Sequence, residues 1–181
     1  MRVFLFTISV LLVLSACEDK VKPPVTDAPL GGDIPDQESW DSKIVFSDSG
    51  QVDAELQAGH ILVYEQRQET FMDSGIVVDF YGNDGAHTSK LTARRGKVND
   101  ATKDLEAFDD VVFVSDSGTV VETTYLFWDN RKQKVRSDKF VTVTSPKERI
   151  QGYGFEADQG LKNYVIYRVS GEAELEEGIQ N

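Results

Sequence analysis

The sequence predicts an all-β domain, and three observations carry that reading. Beyond Trp40 no long stretch places apolar residues at i, i+3 and i+4. Val, Ile, Thr, Phe and Tyr instead recur in short runs closed by Gly, Asp, Asn and Ser, as in strands joined by tight turns. One such turn also returns along the chain. Val45-Phe46-Ser47-Asp48-Ser49-Gly50 reappears as Val114-Ser115-Asp116-Ser117-Gly118, and more loosely as Asp79-Phe80-Tyr81-Gly82-Asn83-Asp84-Gly85.

At 181 residues the chain is one domain's worth or slightly more, and its 19 basic against 31 acidic side chains give a net charge of −12. That balance, without any Lys/Arg-rich run, excludes the electrostatic footprint needed to hold a phosphate backbone. Hydrophobic residues at 40% are enough for a sizeable core, which excludes general disorder. Two histidines, His60 and His87, and the single Cys17 can furnish neither a structural zinc site nor an internal disulfide. No cofactor or metal is expected, and burial and backbone ladders must hold the fold.

In chain order, Met1-Arg2 is a short positive start and Val3 to Leu14 is apolar apart from Thr7 and Ser9, like the core of a secretory signal. The run falls short of the roughly 20 residues a membrane-spanning helix needs. Leu14-Ser15-Ala16-Cys17 follows it and looks like a lipobox, with small residues before a cysteine that carries the lipid. The competing reading is an ordinary secretory signal with an incidental cysteine. Residues 1–16 are therefore expected to be a lipoprotein signal peptide. Residues 17–38, with Pro23, Pro24, Pro29, Pro35 and Gly31-Gly32, read as a flexible tether. Residues 39–172 read as the β-domain and 173–181 as an acidic tail.

Within the β-domain, Ile61, Tyr64, Gln68 and Phe71 share a helical spacing, but Ile61-Leu62-Val63-Tyr64 reads equally as strand, and strand is the expectation. Turns centred on Gly50, Gly85, Gly118 and Arg149 are spaced by 35, 33 and 31 residues, enough for two strands and two turns per unit. Six and eight residues beyond them stand Leu56 and Ala58, Leu91 and Ala93, Thr124 and Leu126, Phe155 and Ala157. Because strand side chains alternate, each pair lies on one face, and the same face is expected to be apolar in every unit. Chance similarity among hairpins rich in Asp-Gly and Ser-Gly turns is the competing explanation. Around residue 125 both faces are apolar, with Val121, Tyr125 and Phe127 assigned to one side and Leu126 and Trp128 to the other. Ordinary sandwich packing accounts for this as well as a groove does.

Catalytic signatures are missing. Gly96-Lys97 is followed by Val98 and lacks the upstream glycine of an ATP-binding loop, and no G-x-S-x-G elbow occurs. Glu122 with Asp129, or Asp109-Asp110, supply the carboxylate pairs that glycoside cleavage uses, but an acidic chain is full of such pairs.

Leu126-Phe127-Trp128-Asp129, the run Val135 to Val143, Ile150-Gln151-Gly152-Tyr153-Gly154-Phe155-Glu156-Ala157-Asp158 and the ending Tyr164 to Gly171 together resemble the LptC family. That family provides the periplasmic subunit of the lipopolysaccharide export machine and is related to the bridge protein LptA and the N-terminal domain of LptD. Its best-known members carry an N-terminal transmembrane helix, where this chain has a lipobox. The resemblance implies an open, twisted antiparallel β-jellyroll holding acyl chains inside, on the inner membrane's periplasmic face. Partners would be lipopolysaccharide, an inner-membrane ABC transporter that supplies the drive, and an LptA-like bridge protein. The alternatives are an envelope adaptor or lipid-carrier lipoprotein of related fold, or a two-carboxylate glycosidase.

The expected lipid-binding face comprises Leu56, Ala58, Leu91, Ala93, Val111, Phe113, Leu126, Trp128, Val141, Val143, Phe155 and Ala157. The expected partner edge is the strand from Tyr164 to Gly171, apolar at Val165, Tyr167 and Val169. Burial of that strand inside a sheet is the alternative.

Overall fold

A computed structural model describes residues 34–170 and 174–175. The proposed signal peptide, Cys17 and most of the tether lie outside the described residues. Ten strands and a two-residue eleventh form a single antiparallel sheet. They are β1 (Gln37–Asp48), β2 (Gln51–Tyr64), β3 (Glu69–Tyr81), β4 (His87–Ala93), β5 (Arg95–Asn99) and β6 (Leu105–Ser115). Then come β7 (Val120–Asp129), β8 (Lys134–Thr144), β9 (Glu148–Asp158), β10 (Tyr164–Val169) and β11 (Glu174–Leu175). The order is β1-β2-β3-β4-β6-β7-β8-β9-β10, with β5 continuing the line of β4 between β3 and β6.

The segment from His60 to Met72 is strand on both sides of a short 3-10 turn at Glu65–Arg67, as expected. Ser49 and Gly50 (φ 50° and 86°) make a two-residue hairpin turn with both central residues left-handed, the geometry that matches strand twist. Three details depart from the sequence reading. Gln37 and Glu38, placed in the tether, pair with Val63 and Leu62 at the start of β1. The fourth turn is Ser145–Lys147, closed by Ser145 N–H donating to the Glu148 carbonyl, so Arg149 is a strand residue of β9. Glu174 and Leu175 of the tail pair with Arg149 and Glu148, because β9 runs past the end of β10 and leaves its backbone groups open.

The long strands leave their ladders near the middle, and the β1–β2 and β3–β4 pairs slip again beside their turns, between Phe46 and Ser47 and between Phe80 and Tyr81. The residues skipped mid-strand are Asp41, Gly59, Ser74-Gly75, Arg94, Asp109-Asp110, Thr124, Asp138-Lys139 and Gly154, and they line up into a crease across the sheet. Asp41, Ser74, Gly75, Asp109, Asp110 and Gly154 have positive φ, which turns the chain sharply there. Gly59 is required: a Cβ at this position would stand 2.7 Å from the Ser74 carbonyl oxygen. Gly75 N–H donates to the Arg94 carbonyl (3.1 Å) and Arg94 N–H to the Asp109 carbonyl (3.0 Å), which stitches the crease together. Arg95 Nε donates to Asp109 (2.7 Å) and Arg94 Nε to Asp110 (2.5 Å). The Asp109-Asp110 pair therefore serves the bend.

Folded along this crease, the sheet closes on its own apolar face. Phe80 at the end of β3 meets Trp128 at the end of β7, ring centres 5.0 Å apart, although two strands separate them in the ladder. Gln159 Nε2 ties the β9–β10 turn to the opposite row by donating to the Tyr81 carbonyl (3.1 Å) and Thr88 Oγ1 (3.3 Å). The result is a jellyroll whose outermost strands, β1 and β10, each pair on one side alone among the described residues.

Candidate functional site

The interior is built by alternation interrupted at the crease. In β2 the inward residues are Ala54, Leu56 and Ala58, then Ile61; in β4–β5 they are Ser89, Leu91 and Ala93, then Gly96 and Val98. A one-residue slip at the bend restores the apolar face to the inside. In β3 and β6 two residues are skipped instead, so Met72 is followed by Ile76 and Ala107 by Val111.

All twelve residues expected on the common face are buried inward, from Leu56, Leu91, Phe113 and Val141 at 0% exposure to Ala93 at 8%. Thr124 lies at the crease and is exposed, which breaks the regular six-and-eight count in the third unit. The same bulge corrects the facing of β7. Val121 points inward with Leu126 and Trp128, while Tyr125 and Phe127 point out, so Val121 does not share a side with them. The sequence reading missed inward residues with an equally regular signal, Ile76, Val78 and Phe80 in β3, and one without any, the turn residue Leu161, buried at φ 52°.

Where the two rows of turns meet, the interior ends in a void of about 30 Å³, little more than a water molecule's space. Phe46, Leu56, Phe80 and Trp128 wall it, and Lys103, Asn130 and Gln133 stand at its mouth. Among the described residues one buried side-chain polar atom is unpartnered: the Ser89 hydroxyl, fully buried on β4 opposite Phe80 and Ser115. Thr123, by contrast, donates its hydroxyl to the Phe140 carbonyl at 2.9 Å and so satisfies the β8 bulge.

The edge strand β10 turns Val165, Tyr167 and Val169 to solvent, 55%, 65% and 61% exposed, and sets Tyr164 and Ile166 against the core. Tyr164 donates its hydroxyl to Glu148 at 2.8 Å, and burial followed by that carboxylate pushes its pKa up to about 12. At the opposite edge, His60 lies under Trp40, ring centres 5.3 Å apart, with Nε2 2.9 Å from Glu38 and Nδ1 3.1 Å from Asp73. The hydrogen bond to Glu38 is the main cause raising its pKa above the usual imidazole value; Asp73 adds to it. His87 is clasped by Asp116 (2.8 Å) and Asp79 (3.2 Å).

The carboxylates considered for glycoside cleavage stand apart. Glu122 is exposed and pairs across the ladder with Val112 and Thr142 on one side of the crease, and Asp129 lies at the far end of β7 on the other. Desolvation opposes ionisation of Asp129, but the Lys132 backbone N–H and ammonium outweigh it and hold the carboxyl below its ordinary value. Among the described residues no three His, Cys, Asp or Glu side chains are grouped to hold a metal, and no helix is long and apolar enough to cross a membrane.

The family model for lipopolysaccharide-assembly, LptC-related proteins matches residues 42–172, well over half the chain. The chain belongs to the LptC family. No curated relative matches the sequence. Among solved structures the fold is similar to that of LptH, described as the LptA-homologous periplasmic component of the conserved lipopolysaccharide transport device of Pseudomonas aeruginosa. The match has a TM-score of 0.54 at 14% identity and covers 69% of this chain and 88% of LptH. At that identity the likeness is one of fold, and it extends the jellyroll architecture to this LptC-family chain.

Proposed function

We propose that this LptC-family protein is a non-enzymatic lipopolysaccharide relay, lipidated at Cys17 and held at the periplasmic face of the inner membrane. In this reading it takes lipopolysaccharide from an ABC transporter and hands it to an LptA-like bridge protein. The observation that carries the proposal is the predominantly apolar inner face, from Leu56 on β2 to Ala157 on β9, kept inward by a bulge in every strand it crosses. Each methylene moved from water onto such a face contributes ~0.8 kcal/mol, so about ten methylenes give roughly 8 kcal/mol. A ligand held that firmly needs an external drive to move on. The exposed edges of β1 and β10 suit strand-to-strand continuation of the groove from one protein into the next.

Because the void at this end of the interior is about 30 Å³, acyl chains enter there by parting the two rows of turns. The same tight packing favours a second reading, an adaptor that joins envelope proteins by its edges and carries no lipid. Photocrosslinkers separate the two. Probes at Leu91, Phe113 and Phe155 should capture lipopolysaccharide during transport, and probes at the outward neighbours Thr92, Val112 and Glu156 should capture little. Equal capture from both sets in a folded protein would dispose of the relay, and edge-dependent partner binding without any capture would leave the adaptor.

A further inference from the structure

A second concavity, of about 1170 Å³, lies on the outer face of β6 to β10 along the crease. Its lining includes Asp109, Thr124, Asp138, Lys139 and Gly154, where these strands leave their ladders. Aromatic rings form its floor. Phe108 and Tyr125 stand 5.4 Å apart, the Arg136 guanidinium lies 4.4 Å from the centre of the Phe127 ring, and that of Arg168 lies 5.5 Å from the Tyr153 ring. Tyr153 and Tyr167 are 47% and 65% exposed. Neither Arg136 nor Arg168 is in an ion pair with another described residue, in a chain with a large excess of carboxylates. Glu106 accepts a hydrogen bond from Tyr125 (3.0 Å), and Glu156 from Lys134 (2.5 Å).

We propose that this cleft binds a short stretch of an acidic glycan, distinct from any lipid held inside. A sugar ring offers a C–H face that packs on aromatic rings and a hydroxyl edge that needs donors and acceptors together, and the cleft presents all three. The two guanidiniums, each laid on a ring, are placed to grip carboxylate substituents bidentately. An acidic peptide would meet Glu106, Asp138 and Glu156 with fewer groups to satisfy them, and a nucleic acid, charged at every phosphate, would need a run of basic residues where the cleft sets Arg136, Lys139 and Arg168 singly among carboxylates. The cleft crosses the strands instead of following an edge, so it does not suit an added β-strand. Its size is that of a ligand pocket able to seat several sugar rings. No lining residue belongs to the turns around Lys103, Asn130 and Gln133 where the interior opens, and the sheet itself stands between the two sites. The head group of a lipid held inside would therefore emerge elsewhere.

The test is calorimetry and saturation-transfer NMR on the full chain with four probes: a tetrasaccharide carrying two carboxylates, its uncharged analogue, the core oligosaccharide cut from lipopolysaccharide, and an acidic octapeptide. The acidic tetrasaccharide should bind with a dissociation constant below about 1 mM, and the uncharged analogue about tenfold more weakly. Arg168→Gln, an exposed change, should weaken binding about tenfold, and Tyr153→Ala at least as much, with crosslinking of lipopolysaccharide at Phe113 unchanged. Absence of binding by the acidic tetrasaccharide at about 10 mM, equal affinity of wild type and a folded Arg168→Gln protein, or tighter binding of the core oligosaccharide or the peptide would each overturn the proposal. Loss of Phe113 crosslinking in wild type bears on the relay alone.

Discussion

Gly152 is where the partner edge is most easily tested, because the atoms nearest an added side chain there belong to β10. An added Cβ there would stand 2.3 Å from the Arg168 carbonyl oxygen and 2.6 Å from Ile166 Cγ2, where ordinary contact begins at 3.4 Å. The obstacle is backbone, so Gly152→Ala must push the end of β10 away by about 1 Å. The Ser170 N–H that donates to the Gln151 carbonyl at 2.8 Å would then lie about 3.8 Å away, beyond hydrogen-bonding range. One or two lost ladder bonds at about 1 kcal/mol each, with the residual overpacking, give a local destabilisation of about 2 kcal/mol. Amide exchange in β10 should accelerate roughly 30-fold while the amides of β3 and β6 keep their protection. Tyr164 should stay seated by its bond to Glu148 and its packing on Phe155. Binding of an LptA-like bridge protein should weaken in parallel. Unchanged exchange in β10, or retained bridge binding in a variant whose β10 amides have opened, would refute the assignment of this edge.

Other outcomes follow from single residues. Ser89→Ala removes a buried hydroxyl that has no partner, and should raise stability by about 1 kcal/mol in urea denaturation; a loss would mean that the hydroxyl is satisfied. The clasp of His60 by Glu38 and Asp73 is complete below the ordinary imidazole pKa of about 6.5 and is lost as pH rises through the raised folded value. Protection of the β1 amides beside Trp40, corrected for intrinsic exchange, should therefore fall as pH rises through that window, and His60→Gln should flatten the profile. Cys17→Ser should leave an unprocessed or soluble form without palmitate; label persisting in the mutant would exclude Cys17 as the anchor.

The sequence by itself determined the strand class and the inward membership of all twelve residues, because period-two alternation is a local property and holds between neighbours within one strand even where, as at Arg149, the turn used as origin is misplaced. Leu56 with Ala58, and Phe155 with Ala157, are two apart with no crease between them, so their shared face could be counted directly. Val121 with Tyr125 is the instructive failure: the count ran through Thr124, where the strand slips by one, and so assigned the wrong side. Only the tertiary structure decided where the sheet bends. Positive φ at Asp41, Ser74, Asp109 and Asp110 is set by neighbouring strands, by bonds such as Arg94 N–H to the Asp109 carbonyl, and by the close approach of Gly59 to Ser74. The outer cleft was illegible for the same reason. Arg136, Tyr153 and Arg168 lie on three strands and come together because the crease aligns the bulges of those strands, an alignment no local pattern records.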